Sequence, residues 1–178
     1  MPQRTGWTKP FSVIALLGAL TACSTAPTRP LSVEPQVDLS RFMGDWYVIA
    51  AIPTSFEKNA FNPMDHYVLD KDGSIATTYT FNADSFDGKA KEYHSRGYVL
   101  SPTNAIWGQQ YIWPFKADYR IAYVSKDYMQ TIIAREKRDY VWIMSRTSII
   151  SEADYERLVK LVDEQGYDTA LLQKAPQR

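Results

Sequence analysis

Few side chains in this sequence could do covalent or metal chemistry. Cys23 is the only cysteine, and His66 and His94 are the only histidines, among 178 residues. A lone thiol cannot close an intrachain disulfide, and one thiol with two imidazoles is too small a set for a Cys-rich zinc or iron–sulfur site. No metal and no cofactor is therefore expected. Nucleophilic hydrolysis is equally unsupported, because no G-x-S-x-G elbow occurs and neither histidine has an evident carboxylate partner by sequence. Twenty basic side chains balance twenty acidic ones. That leaves no concentrated basic surface for nucleic acid. What remains is a composition that is 45% apolar and 13% aromatic, enough for a sizeable core in one domain.

The surroundings of Cys23 explain its chemistry. Arg4 and Lys9 precede ten mostly apolar residues, 11–20, the layout of an export signal and too short for a membrane-spanning helix. Leu20-Thr21-Ala22-Cys23 then resembles the bacterial lipobox. The resemblance implies that residues 1–22 are removed, that the Cys23 thioether takes diacylglycerol, and that the freed amine takes a third acyl chain. Ser24 in place of aspartate implies sorting to the outer membrane. Two or more chains anchor a protein stably, whereas one does so only marginally. Loss of Arg4 and Lys9 leaves 18 basic residues against 20 acidic. Residues 23–36, with Pro27, Pro30 and Pro35 among small polar residues, read as an extended lipidated tether. One domain is expected over 37–178.

The domain must be built from strands. Period-two alternation predicts them at 46–52, 65–69, 74–81, 89–99, 105–113, 117–125, 129–135 and 140–146, separated by turn signals such as Lys71-Asp72-Gly73, Asp87-Gly88 and Trp113-Pro114. Short links make neighbours antiparallel, and eight in succession suggest a sandwich or an up-and-down barrel, of which closure leaves no open edge. Ser151-Glu152-Ala153-Asp154 then caps a helix whose apolar stripe is Tyr155, Leu158, Val159 and Val162, with Gly166 past its end. That stripe should dock on the outside of the sheet. Residues 170–172 are read as a short extra strand.

Two separated motifs carry a family resemblance. Asp38 to Tyr47 holds a short helical turn followed by Gly44-Asp45-Trp46-Tyr47, and Val141 to Thr147 ends a strand in Arg146. With the loop Ile52-Pro53-Thr54-Ser55-Phe56-Glu57, the chain resembles the lipocalins over about residues 37–174, above all the bacterial outer-membrane lipocalins and apolipoprotein D. The resemblance implies an all-β, eight-stranded antiparallel up-and-down barrel with one C-terminal α-helix packed outside, closed at one end by Gly44, Trp46 and Arg146. An arginine across the indole is worth about 0.5–2 kcal/mol. One departure is Ser125, where the family often has aspartate before Lys126-Asp127-Tyr128; a salt bridge at that position is not expected.

Lipocalin barrels enclose one small ligand. Alternation, started from an inward Arg146 and from Tyr67 placed by the resemblance, predicts a lumen lined by Tyr67, Ile75, Thr77, Tyr79, Trp107, Gln109, Tyr111, Trp113, Tyr119, Ile121, Tyr123, Ile133, Trp142 and Met144. A β-bulge would flip part of any such set. Such a wall suits an acyl chain at roughly 0.8 kcal/mol per buried methylene, and the resemblance implies fatty acids or lysophospholipids, stored or transported in the periplasm. Two other readings stay open, a lipid-modifying enzyme in the same cavity and a filled barrel with a structural or docking role. Homodimerisation is compatible with each.

Overall fold

The computed structural model describes Met1 and residues 29–178. The expectations for residues 1–22 and for Cys23 lie outside the described residues. A single turn of helix, α1 (Leu39–Phe42), precedes eight strands: β1 (Gly44–Ile52), β2 (Ala60–Leu69), β3 (Ile75–Ala83), β4 (Ala90–Val99), β5 (Ile106–Ile112), β6 (Phe115–Val124), β7 (Gln130–Ala134) and β8 (Val141–Ser145). Helix α2 (Glu152–Glu164), a 3-10 turn (Thr169–Leu171) and β9 (Gln173–Lys174) complete the chain. Each strand pairs antiparallel with the next, and β1 pairs with both β8 and β2, so the sheet closes into a barrel with β9 added on β1. Residues 170–172 form the 3-10 turn and its end rather than a strand; the strand begins one residue later.

Alternation along the strands creates two cores. Inward residues, among them Trp46, Tyr67, Ile75, Trp107, Tyr119, Ile121, Ile133 and Met144, make the interior cluster. Ile49, Ala50, Ile132, Ala134, Val141 and Ile143 face outward, where Leu158 and Val162 of α2 cover them. Burying such a side chain is worth about 1.5–3 kcal/mol, which holds the helix to the barrel. Its start is fixed by the Ser151 hydroxyl, which accepts from the Asp154 N–H at 3.1 Å.

Bulges set where the alternation slips. The β1–β8 register shifts between Val48 and Ala50, so Ile49 and Ala50 both face the helix side and Ala51 returns to the lumen. The β6–β7 register shifts between Ile121 and Tyr123. Tyr123 is thereby turned out of the lumen, contrary to the alternation reading, and its hydroxyl accepts from Arg157 of α2 at 3.2 Å. An extra residue on one strand reverses the facing of everything beyond it.

Residues 31–36 also differ from a free tether. Leu31 is buried against the outer core, the Glu34 N–H donates to the Ile121 carbonyl at 3.0 Å, and the Glu34 carboxylate accepts from the Val124 N–H at 2.8 Å. This segment is a strap along the barrel wall.

Candidate ligand cavity

The closed end is organised by one guanidinium. Arg146 lies over the Trp46 ring at 3.8 Å from its centroid and donates to the carbonyls of Arg41, Phe42, Met43 and Asp45 at 2.7–3.0 Å. These carbonyls belong to the last turn of α1 and the entry to β1, where helical and sheet pairing both stop. Gly44 sits between them at φ +92°, and a Cβ there would come within 3.4 Å of the Arg146 Nη1. Glycine alone meets that backbone requirement cheaply. The Trp46 N–H donates to the Phe42 carbonyl at 2.8 Å. Burial pulls the Arg146 guanidinium below its ordinary value, with Asp45 opposing. Ser125 takes no part in an ion pair; its hydroxyl donates to Asp127 at 2.6 Å and accepts from the N–H groups of Met129 and Gln130, building the β6–β7 turn.

Above this stopper the barrel is solid for part of its height. Phe42, Trp46, Tyr67, Trp107 and Tyr119 pack ring to ring at 5.1–6.4 Å, with Trp107 stacked on Tyr119. Ile75, Ile121, Ile133 and Met144 fill the gaps. Of the side chains expected to line a lumen, Tyr67, Ile75, Trp107, Tyr119, Ile121, Ile133 and Met144 therefore form its floor. Phe42, from α1 rather than from a strand, completes that floor and lay outside a reading based on strand alternation.

The floor is polar on its upper side. Tyr67 donates to Asp65 at 3.0 Å and shares a 2.7 Å hydrogen bond with the Tyr119 hydroxyl. Gln109 is buried, and its amide donates to Thr77 at 2.9 Å and Ser95 at 2.7 Å. Burial pushes the Asp65 carboxyl up to about 7; the Tyr67 hydrogen bond works against this and nearby Glu57 adds to it. Burial likewise pushes the Tyr67, Tyr79 and Tyr119 hydroxyls far above their ordinary range, so all three are neutral donors at physiological pH. Asp65 stands two residues before Tyr67, so the same alternation, continued backwards, locates it.

A cavity of about 250 Å³ opens beside this cluster. Val48, Ala51, Glu57, Ala60, Phe61, Pro63 and Tyr79 line it from β1, β2, β3 and the β1–β2 loop, with Gln173–Pro176 along one side. Of the expected lining set only Tyr79 borders it. Trp142 is tied to it, donating from its indole N–H to Glu57 at 2.7 Å, while the Thr54 N–H holds the other Glu57 oxygen at 2.8 Å. The volume is just below the ~300–1,000 Å³ usual for small-molecule sites.

At the open end the wall comes apart. Pairing of β4 with β5 stops at Arg96–Gln110, and that of β6 with β7 at Arg120–Ala134. Tyr111 falls within the β5–β6 register shift between Gln109 and Ile112 and is left largely exposed. Trp113 is not in the lumen; it is the tip of the β5–β6 hairpin and is exposed, because the chain reverses there before the alternation can bring it inside. His66 and His94 are exposed, and each has a carboxylate neighbour that sequence spacing did not reveal: Asp45 at 2.5 Å and Glu92 at 2.9 Å. Among the described residues no cluster of potential metal ligands occurs, and no helix is long and apolar enough to cross a membrane.

The family model for a lipocalin-like domain matches residues 37–177. The chain belongs to the lipocalins. This lipocalin is 31% identical to temperature-induced lipocalin-1 of Arabidopsis thaliana over 159 residues, covering 84% of each chain. It is 27% identical over 154 residues to the outer membrane lipoprotein Blc of Escherichia coli K12, covering 85% of this chain and 86% of that one. Among solved structures, lobster apocrustacyanin A1 superposes with a TM-score of 0.63 at 14% identity, covering 85% of this chain and 93% of that one. The cockroach allergen Per a 4 does so with a TM-score of 0.61 at 20% identity, covering 83% and 96%. Family membership places this lipocalin among carriers of small hydrophobic ligands rather than enzymes.

Proposed function

We propose that this lipocalin is a lipoprotein of the bacterial outer membrane, anchored through Cys23, that stores or transports single-chain lipids, fatty acids or lysophospholipids, in the periplasm during envelope maintenance or stress. The observation that carries the reading is the barrel's division into an aromatic floor and an open, largely apolar upper cavity. Such a cavity takes one hydrocarbon tail end-on and leaves the polar head at the mouth. The buried Asp65 reinforces that direction, because an anionic head lowered to its depth would lose its water without gaining a cationic partner. The proposed lipidation motif and the relationship to outer membrane lipoproteins of 24–27% identity support the location.

The test is a titration of the lipid-stripped mature domain, residues 24–178, with fatty acids and lysophospholipids, followed through tryptophan emission. Trp142, hydrogen-bonded to the cavity residue Glu57, is the reporter. Saturable one-to-one binding at micromolar concentration or tighter is expected; absence of binding refutes the carrier role. For the anchor, Cys23→Ala should move the protein from the membrane to the soluble fraction.

A further inference from the structure

The open end carries an apolar projection that, among the described residues, nothing covers. At the β5–β6 tip Ile112, Trp113 and Phe115 are 73%, 82% and 76% exposed, and Phe56, in the β1–β2 loop at the same end, is 74% exposed. The hairpin overhangs its neighbours, since β6 has no β7 partner before Arg120 and β5 has no β4 partner after Gln110. Folded monomers seldom leave such a cluster open to water without a use for it.

The path of the N-terminal strap bears on what covers this tip. Its far end, Val37, bonds to Thr103 at the closed end, at 2.9 Å. Its near end is at the opposite pole: the Leu31 N–H reaches Glu136 and the Arg29 carbonyl accepts from Arg138, both in the loop between β7 and β8 at the open end. Cys23 is six residues before Arg29, a reach of at most about 20 Å. A chain acylated at Cys23 is thus leashed by its mouth and not by its stopper.

We propose that the barrel docks mouth-down on a lipid bilayer, with the β5–β6 tip inserted among the headgroups and the ligand cavity opening toward the lipid from which it loads. A tryptophan beside apolar neighbours on a two-residue turn matches the interfacial preference of aromatic side chains. Charge does not select the occupant, because the rim loops carry Lys58, Lys89 and Lys137 interspersed with Glu57, Asp87 and Asp139. The leash part of the argument rests on the lipoprotein reading; the exposed tip does not.

The mature chain, recovered from whichever fraction holds it, is combined with vesicles of phosphatidylethanolamine and phosphatidylglycerol whose acyl chains are brominated, and tryptophan emission is read. Trp113 is the exposed one of four tryptophans after Cys23, the others being Trp46, Trp107 and Trp142. Roughly a quarter of the emission or more should be quenched, high salt should not restore it, and Trp113→Phe should abolish the quench while leaving the fold intact by circular dichroism. In Ile112→Ser/Phe115→Ser, which keeps the reporter, quenching of Trp113 should fall at least threefold. Quenching equal in wild type and Trp113→Phe overturns the proposal. So does an unquenched Trp113 shielded instead in a concentration-dependent dimer. Recovery from the soluble fraction would count against lipidation alone, and loss of ligand binding against the carrier role alone; neither alters the quench.

Discussion

Raising the pH should weaken this barrel through Asp65. An aspartate in the unfolded chain titrates near 3.9, whereas in the folded barrel burial lifts Asp65 to about 7. Between those values the folded state keeps a proton that the unfolded state has lost, so stability falls as pH rises. The contribution is fully present below about pH 4 and gone once pH passes about 7. Three units at 1.36 kcal/mol each set a ceiling of ~4 kcal/mol; because Asp65 keeps some contact with water, about half of that is the expected size. Urea unfolding of the wild type and of Asp65→Asn at pH 5 and pH 8 isolates the effect. His66 with Asp45 and His94 with Glu92, on the outside of the barrel, are common to both proteins and cancel. Tyr67, Tyr79 and Tyr119, around Asp65, stay neutral across this window. The wild type should lose about 1–2 kcal/mol more than the variant on going to pH 8. Parallel losses, or a wild type that gains on the variant at pH 8, would refute a buried protonated carboxyl.

Other perturbations test other parts of the fold. Arg146→Ala removes the cation–π contact and leaves four carbonyls to find water, and should cost about 2–4 kcal/mol in chemical denaturation; Arg146→Lys should recover less than half, since an ammonium cannot span the same acceptors. Ala51→Leu projects two branches into the cavity from β1 and should weaken acyl-chain binding at least tenfold in the titration, with little change in Tm. Leu158→Ala should cost about 2–5 kcal/mol by calorimetry, because it empties the centre of the helix–barrel contact, whereas Ser151→Ala should cost only about 0.5–2 kcal/mol through the helix start.

Much of the fold was legible because its determinants are local. Alternation and turn residues locate eight strands, and the Ser151 to Gly166 pattern locates α2. The pairing of Trp46 with Arg146 was legible only through the family resemblance, since nothing local joins residues a hundred positions apart. The facing of Tyr123 was not legible, because the β6–β7 bulge depends on how β7 packs under α2. The start of β2 at Ala60, before Pro63, was hidden because proline argues against a paired strand; the register shift between Phe61 and Met64 accommodates it. Cavity and floor could not be told apart by parity at all. Tyr67 and Tyr79 share a facing, but Tyr67 meets Phe42 and Trp107 at the closed end while Tyr79 borders open space.

That division of the lumen links stability to binding. The closed half concentrates the large aromatics, the Arg146 clasp and continuous strand pairing, so its packing is complete without ligand. The open half gives up pairing between β4 and β5 and between β6 and β7, and β1 pairs with β2 only from Gly44 to Tyr47. Beyond that point the C-terminal segment takes up the gap: the Ala175 N–H donates to Ile49, the Asn62 N–H to Pro176, and the Gln177 amide to both Val48 and Pro63 at 2.9 Å. The same segment forms one side of the cavity. Opening of this wall therefore requires only the last few residues to leave, a small unit with little buried apolar surface, while the floor stays rigid. Hydrogen exchange should find the amides of Asn62 and Ala175 opening well below the global free energy and slowed by bound lipid, with those of Tyr67 and Trp107 exchanging only on full unfolding. Uniform protection of all four would mean that the tail is an integral part of the wall and that ligand enters by the mouth alone.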